Sequence, residues 1–136
     1  MRGDEKLIGA IDQGTSSSRF LLFDLATGDV VAHHQIEVRQ LFPHPGWVEM
    51  DPNEMINTVK KCIETVCKNL DKLKISLSQI KCVGITNQRE TTVLWDRETG
   101  NPLCNAIVWL DSRTTDLAFK YSQKTPNKYV DLSVSD

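Results

Sequence analysis

Residues 7–25 read LIGAIDQGTSSSRFLLFDL. An apolar run ends on an acid, Asp12. Gly14 and the hydroxyl residues Thr15, Ser16, Ser17 and Ser18 follow, and after Arg19 the chain returns at once to apolar residues. Two short apolar runs flanking a polar stretch read as neighbouring strands. A third strand is expected in VVAHHQIEV, residues 30–38, after Asp24-Leu25-Ala26-Thr27-Gly28-Asp29, whose glycine suits a tight hairpin connection. The stretch from Asp12 to Arg19 is more polar than turning the chain requires. Gly14 lets backbone approach a ligand closely, and successive N–H groups with the hydroxyls of Thr15, Ser16 and Ser17 can cradle phosphate oxygens. Asp12, at a strand end, can hold a hydrated Mg²⁺, and Arg19 adds a fixed positive charge. The stretch is not a Walker A loop, because GxxxxGK[ST] is absent, and a polar hairpin with no ligand is the competing reading.

Downstream, Asp51 as N-cap, Pro52 at the first helical position and Glu54 completing a D-x-x-E capping box predict a helix start. Met55, Ile56, Val59, Cys62, Ile63, Val66, Cys67 and Leu70 then fall on one stripe, opposite a solvated face of Asn57, Lys60, Lys61, Glu64 and Lys68. IKCVGIT, residues 80–86, reads as a strand ending in Asn87-Gln88-Arg89-Glu90. A strand after a helix in this order suggests a βαβ unit and a mixed α/β sheet. TTVLWD and PLCNAIVW read as further strands around Arg97-Glu98-Thr99-Gly100-Asn101. FDLATGD and WDRETGN echo each other, which hairpin chemistry alone can produce. A second helix is expected over residues 113–123, and KTPNKYVDLSVSD, residues 124–136, has no strong pattern.

Bulk composition fits one modest domain: 136 residues, 40% hydrophobic, net charge −2 with both signs well mixed. No basic stripe suggests a nucleic-acid partner. No apolar run approaches the about 18 residues of a membrane span. MRGDEK leads straight into a strand, so no leader peptide and a cytoplasmic location are expected. Cys62, Cys67, Cys82 and Cys104 form no CxxC pair, and His33, His34 and His44 complete no zinc spacing, so the thiols are expected to pack as small hydrophobes.

Besides the opening loop, three polar clusters lie at strand ends or connections, where α/β proteins place ligands. Arg89 beside Glu90 offers a donor fork and an acceptor able to fix a polyol's hydroxyls, with a surface salt bridge as the plainer reading. PGWVEMDP is expected to be structural, Trp47 packing while Glu49 and Asp51 approach the helix N-terminus. In AIVWLDSRT, Trp109 can offer an apolar wall to a small ligand or can pack in the core.

DQGTSSSR, PGWVEMDP, GITNQRETTVLWD and GNPLCNAIVWLDSRT, in this order and spacing, resemble the N-terminal part of the glycerol-phosphorylating FGGY carbohydrate kinases. The resemblance covers about residues 7–115 and makes residues 1–136 an incomplete FGGY N-terminal domain, with residues 124–136 a divergent end. It implies a partial actin-like, RNase H-like ATPase fold and the reaction of ATP with glycerol to give ADP and sn-glycerol 3-phosphate. Asp12 would position the metal and phosphate, with Mg²⁺ held through water. Thr15, Ser16, Ser17 and Arg19 would contact the phosphates of ATP, Arg89 and Glu90 would bond glycerol's hydroxyls, and Trp109 would wall its pocket. Family members also form dimers and tetramers. The family's catalytic base, an aspartate in a later Asp-Gln pair, has no counterpart in this sequence, and Tyr129 does not match the context of the family's pocket tyrosine. The 136 residues alone are therefore expected to be inactive and marginally stable. A non-catalytic homologue acting through a partner, and a kinase of another sugar or polyol, are the alternatives.

Overall fold

The computed structural model describes residues 6–124. The expected divergent end and Tyr129 lie outside them. Strands β1 (Leu7–Gln13), β2 (Ser17–Asp24) and β3 (Val30–Glu37) form an antiparallel meander. After the two-residue β4 (Glu49–Met50) comes α1 (Pro52–Leu73), then a short 3-10 helix, Leu77–Gln79. β5 (Ile80–Asn87) then returns parallel to β1, so the main sheet has the order β3-β2-β1-β5. β6 (Ala106–Ile107) pairs with β4 in a second small sheet, and α2 (Thr115–Lys124) ends the described chain.

Side-chain alternation sends Leu7 and Ile11 of β1, with Phe20 and Leu22 of β2, to one face of the sheet. Cys62, Val66 and Leu70 of α1 pack on that face, with Ile75 closing the end. Four fully buried side chains among these (Leu7, Leu22, Val66 and Leu70) each contribute about 1.5–3 kcal/mol of transfer free energy. Gly9 is required by the packing: a Cβ there would sit 3.0 Å from the Phe20 ring and from Val83.

The expected helix face is turned slightly. Ile56 is 56% exposed, whereas Thr58 is buried, because its hydroxyl shares a 2.8 Å hydrogen bond with Ser18 of β2. The cap also differs in part. Asp51 accepts from the Asn53 N–H as expected, but Glu54 turns away from the cap to the Arg39 backbone N–H and guanidinium. The reciprocal capping box belongs instead to Ser76 and Gln79 of the 3-10 helix.

The echo FDLATGD and WDRETGN is one turn used twice. Asp24 accepts from the N–H groups of Ala26 and Thr27, and Asp96 from those of Glu98 and Thr99. Each turn closes on a glycine in the left-handed region, Gly28 at φ 78° and Gly100 at φ 73°. The second copy does not form the expected long strands. TTVLWD and PLCNAIVW meet at the bridges Thr92↔Ile107 and Trp95↔Pro102 and through the Leu103 N–H, which donates to the Leu94 carbonyl at 2.9 Å, while Pro102 has no N–H to donate to a ladder. A second core of Val38, Val48, Met50, Ala106 and Val108 lies beneath the small sheet.

Candidate functional site

Parallel pairing of β1 and β5, with Gln13 opposite Asn87, makes the chain leave both strands at the same edge of the sheet. The loops that follow therefore lie side by side. Two buried glutamines join them. Gln88 donates its backbone N–H to the Gln13 carbonyl at 2.8 Å and its Nε2–H to Gln13 Oε1 at 3.2 Å. Thr91 Oγ1 donates to Gln88 Oε1, and Met50 Sδ lies 3.5 Å from Gln88 Nε2, which ties the small sheet to the same point. Sequence reading does not single out this pair: its only signal is a glutamine at or after the end of each strand, and their meeting depends on the register.

A cavity of about 410 Å³ opens at this edge, lined by Thr15, Thr86, Asn87, Gln88, Arg89, Glu90 and Trp109. It gathers Thr15, Arg89, Glu90 and Trp109 from three separate stretches of sequence. Glu90 adopts φ 62°, a left-handed conformation that costs a non-glycine residue about 1–2 kcal/mol; such strain concentrates at ligand sites. Trp109, 51% exposed, sits in the turn after β6 and donates its indole N–H to Thr15 Oγ1 at 2.9 Å.

The other candidates of the opening loop point elsewhere. Asp12 and Arg19 are register partners, 3.5 Å apart and partly exposed, on the sheet face opposite α1. Ser16 is exposed and Ser17 is buried, and both border a second hollow of about 400 Å³ beside Gln35 and Glu37. Ser17 Oγ accepts a long bond from Arg19 Nε, and Ser18 faces Thr58 of α1. The turn is tight, Gly14 N–H donating to the Ser17 carbonyl at 2.9 Å. A Cβ on Gly14 would stand 3.2 Å from that carbonyl and 4.0 Å from Asp12 Oδ1, so the glycine keeps the space beside the carboxylate open.

Behind Trp109 lies an ion network. Arg113 pairs with Asp111 and Glu49, both at 2.8 Å, while its guanidinium stacks 3.7 Å above the Trp47 ring. Asp111 also accepts from the Val48 N–H at 2.7 Å, and Asn105 donates to Glu49 at 2.9 Å. Hydrogen bonding from Arg113 lowers the Asp111 pKa to about 2, and Asn105 first, then Arg113, lowers that of Glu49. Trp47 packs as expected, but Glu49 serves this network and not the helix N-terminus. The network pins PGWVEMDP to WLDSRT and so fixes the turn carrying Trp109. Among the described residues no group of three or more His, Cys, Asp and Glu side chains is placed to hold a metal, and no helix is long and apolar enough to cross a membrane.

Residues 7–132 match the family model described as FGGY family of carbohydrate kinases, N-terminal domain, and the chain belongs to this family. Within it, the chain is 59% identical over 125 residues to a Caenorhabditis elegans protein named "Probable glycerol kinase", covering 92% of this chain and 25% of that one. A crystal structure of Plasmodium falciparum glycerol kinase with ADP superposes with a TM-score of 0.77 at 37% identity, over 89% of this chain and 24% of that one. A xylulose kinase from Rhodospirillum rubrum, 24% identical with a TM-score of 0.74, shares the fold over 88% of this chain and 24% of its own. The architecture is thus part of the α/β, actin-like fold of these kinases. The chain spans about a quarter of the length of the curated relatives it matches.

Proposed function

We propose that this chain supplies the glycerol-binding and part of the phosphate-binding surface of an ATP-dependent glycerol kinase, as an incomplete part of its N-terminal domain. The observation that carries the reading is the meeting of Thr15, Arg89, Glu90 and Trp109 in one cavity. A polyol hydroxyl both donates and accepts, and needs a partner of each kind: the guanidinium of Arg89 only donates, and the carboxylate of Glu90 only accepts. The half-exposed face of Trp109 suits the carbon side of the same small molecule. The names of the relatives point to glycerol ahead of a sugar.

The phosphates of ATP would lie over the turn at Gly14 and Thr15, with Arg19 and the neighbouring Ser16 and Ser17 contributing hydrogen bonds. Mg²⁺ fits here as an ion held mainly by phosphate and water, since Mg²⁺ commonly takes one or two carboxylates and keeps its waters. Gly14 leaves space beside the one carboxylate in position, Asp12. When bound, the ion would offset charge on the phosphate oxygens. Transfer moves the γ-phosphoryl group from ADP's oxygen to a terminal oxygen of glycerol, whose proton must go to a base. This chain carries no residue matching the family's base, and such a group is worth about 10²–10⁴-fold in rate. The chain is therefore expected to bind glycerol and to turn over ATP negligibly, in the cytoplasm.

Calorimetric titration with glycerol, xylulose and gluconate, together with glycerol-dependent ADP release, tests this. Glycerol should bind, the other two more weakly, and Arg89→Ala should weaken glycerol binding at least tenfold, as for loss of a charged hydrogen-bond donor of about 1.5–3 kcal/mol. Equal binding of xylulose would transfer the reading to another carbohydrate, and ADP release by the 136-residue chain would contradict the assignment of the base outside it.

A further inference from the structure

Thr15 and Trp109 belong to two separately pinned pieces of chain. The Thr15 carbonyl accepts from Gln40 Nε2 at 3.2 Å and the Ser16 carbonyl from the Val38 N–H at 3.0 Å, which hold the hairpin turn. Val108 N–H donates to the Val48 carbonyl at 3.0 Å and Asp111 N–H to the Val108 carbonyl at 2.9 Å, which hold the turn of Trp109. The 2.9 Å bond from Trp109 Nε1–H to Thr15 Oγ1 joins the two pieces inside the cavity.

An indole N–H can only donate, whereas a threonine hydroxyl has one proton and two lone pairs. With a lone pair engaged by the indole, the Thr15 proton is left to be given away. A rotor that could serve donors and acceptors alike becomes a directed donor, suited to an acceptor-only group such as a phosphate oxygen. Successive hydrogen bonds of this kind polarise one another.

We propose that the Trp109 indole N–H is a positioning group for Thr15, coupling a polyol on the Arg89–Glu90 side of the cavity to a phosphate oxygen over the hairpin turn. The inference rests on the proposed glycerol and phosphate sites. A polyol packed on the indole face holds the N–H in line with Thr15, the oriented hydroxyl holds the phosphate oxygen, and by linkage the phosphate tightens the polyol equally.

The probes are glycerol and inorganic tripolyphosphate with magnesium, applied to the 136-residue chain. Trp109→Phe removes the N–H and keeps an aromatic wall, Thr15→Val removes the hydroxyl, and Thr15→Ser restores it. Amide NMR dispersion checks that each variant is folded. Thr15→Val should shift the Trp109 indole signal and speed its exchange with water. Tripolyphosphate should tighten glycerol binding about fivefold in the wild type and in Thr15→Ser, the scale of one net hydrogen bond, and not at all in Thr15→Val or Trp109→Phe. An indole signal indifferent to Thr15→Val, or coupling that survives Trp109→Phe, overturns the inference while the glycerol reading stands. Absence of glycerol binding in the wild type overturns both.

Discussion

At the scale of single residues, Gly46 holds Ser112, three residues beyond Trp109, through its carbonyl. It sits at φ 79°, and a Cβ there would meet Ser112 Oγ at 2.6 Å, a hydroxyl bonded to the Gly46 carbonyl. Gly46→Ala should therefore destabilise the chain by about 1–3 kcal/mol, read as a lower urea midpoint; an unchanged midpoint would mean that the turn relaxes freely. Asp111 gives a second test. Its pKa falls from an ordinary 3.8 to about 2 beside Arg113, so its contribution to stability is present above the higher value and is lost as pH falls through the lower one. Glu49, lowered as well, acts with the same sign. Unfolding midpoints measured from pH 5 down to about pH 2 should drop, and Asp111→Asn should flatten part of that drop. An identical acid slope in the variant would remove Asp111 from the account. The sequence shows Glu49, Asp111 and Arg113 as ordinary charges; the ion pair needs a contact 64 residues apart that no local spacing announces.

At the scale of elements, β1, β2 and β5 are legible as short, mostly apolar runs, β3 by partial alternation, and α1 by an apolar stripe at the helix period. The exceptions have local causes. Thr58 takes a core position because Ser18 offers it a partner, and Glu54 prefers Arg39 to its own helix end. β5 has a further consequence. Within the described sheet it is an edge strand, and Val83 and Ile85 are 47% and 75% exposed. A flat apolar edge promotes pairing between copies. Ile85→Lys should reduce self-association in sedimentation velocity while changing stability by less than about 0.5 kcal/mol. Unaltered association would locate the sticky surface elsewhere, for instance on α2, where Phe119 is 67% exposed.

At the scale of the whole molecule, the order of the polar clusters along the chain was readable, and so was the residue chemistry of Arg89–Glu90. Their convergence is not legible in the residues themselves; the family resemblance alone implies it, for Arg89, Glu90 and Trp109. It follows from β1 and β5 being parallel neighbours and from the small sheet carrying Trp109 back to Thr15, both products of long-range pairing. The same topology distributes the opening loop, sending Thr15 to the cavity, Ser18 inward to Thr58 of α1, and Asp12, Ser17 and Arg19 to the opposite sheet face. The central claim is that this convergence is a glycerol site. Its most direct test is a glycerol titration followed by amide and indole NMR signals of the isotopically labelled chain. Saturable shifts confined to Thr15, Asn87–Glu90 and the Trp109 indole are expected, abolished by Arg89→Ala. Shifts elsewhere, or none at these residues at saturating glycerol, would contradict it.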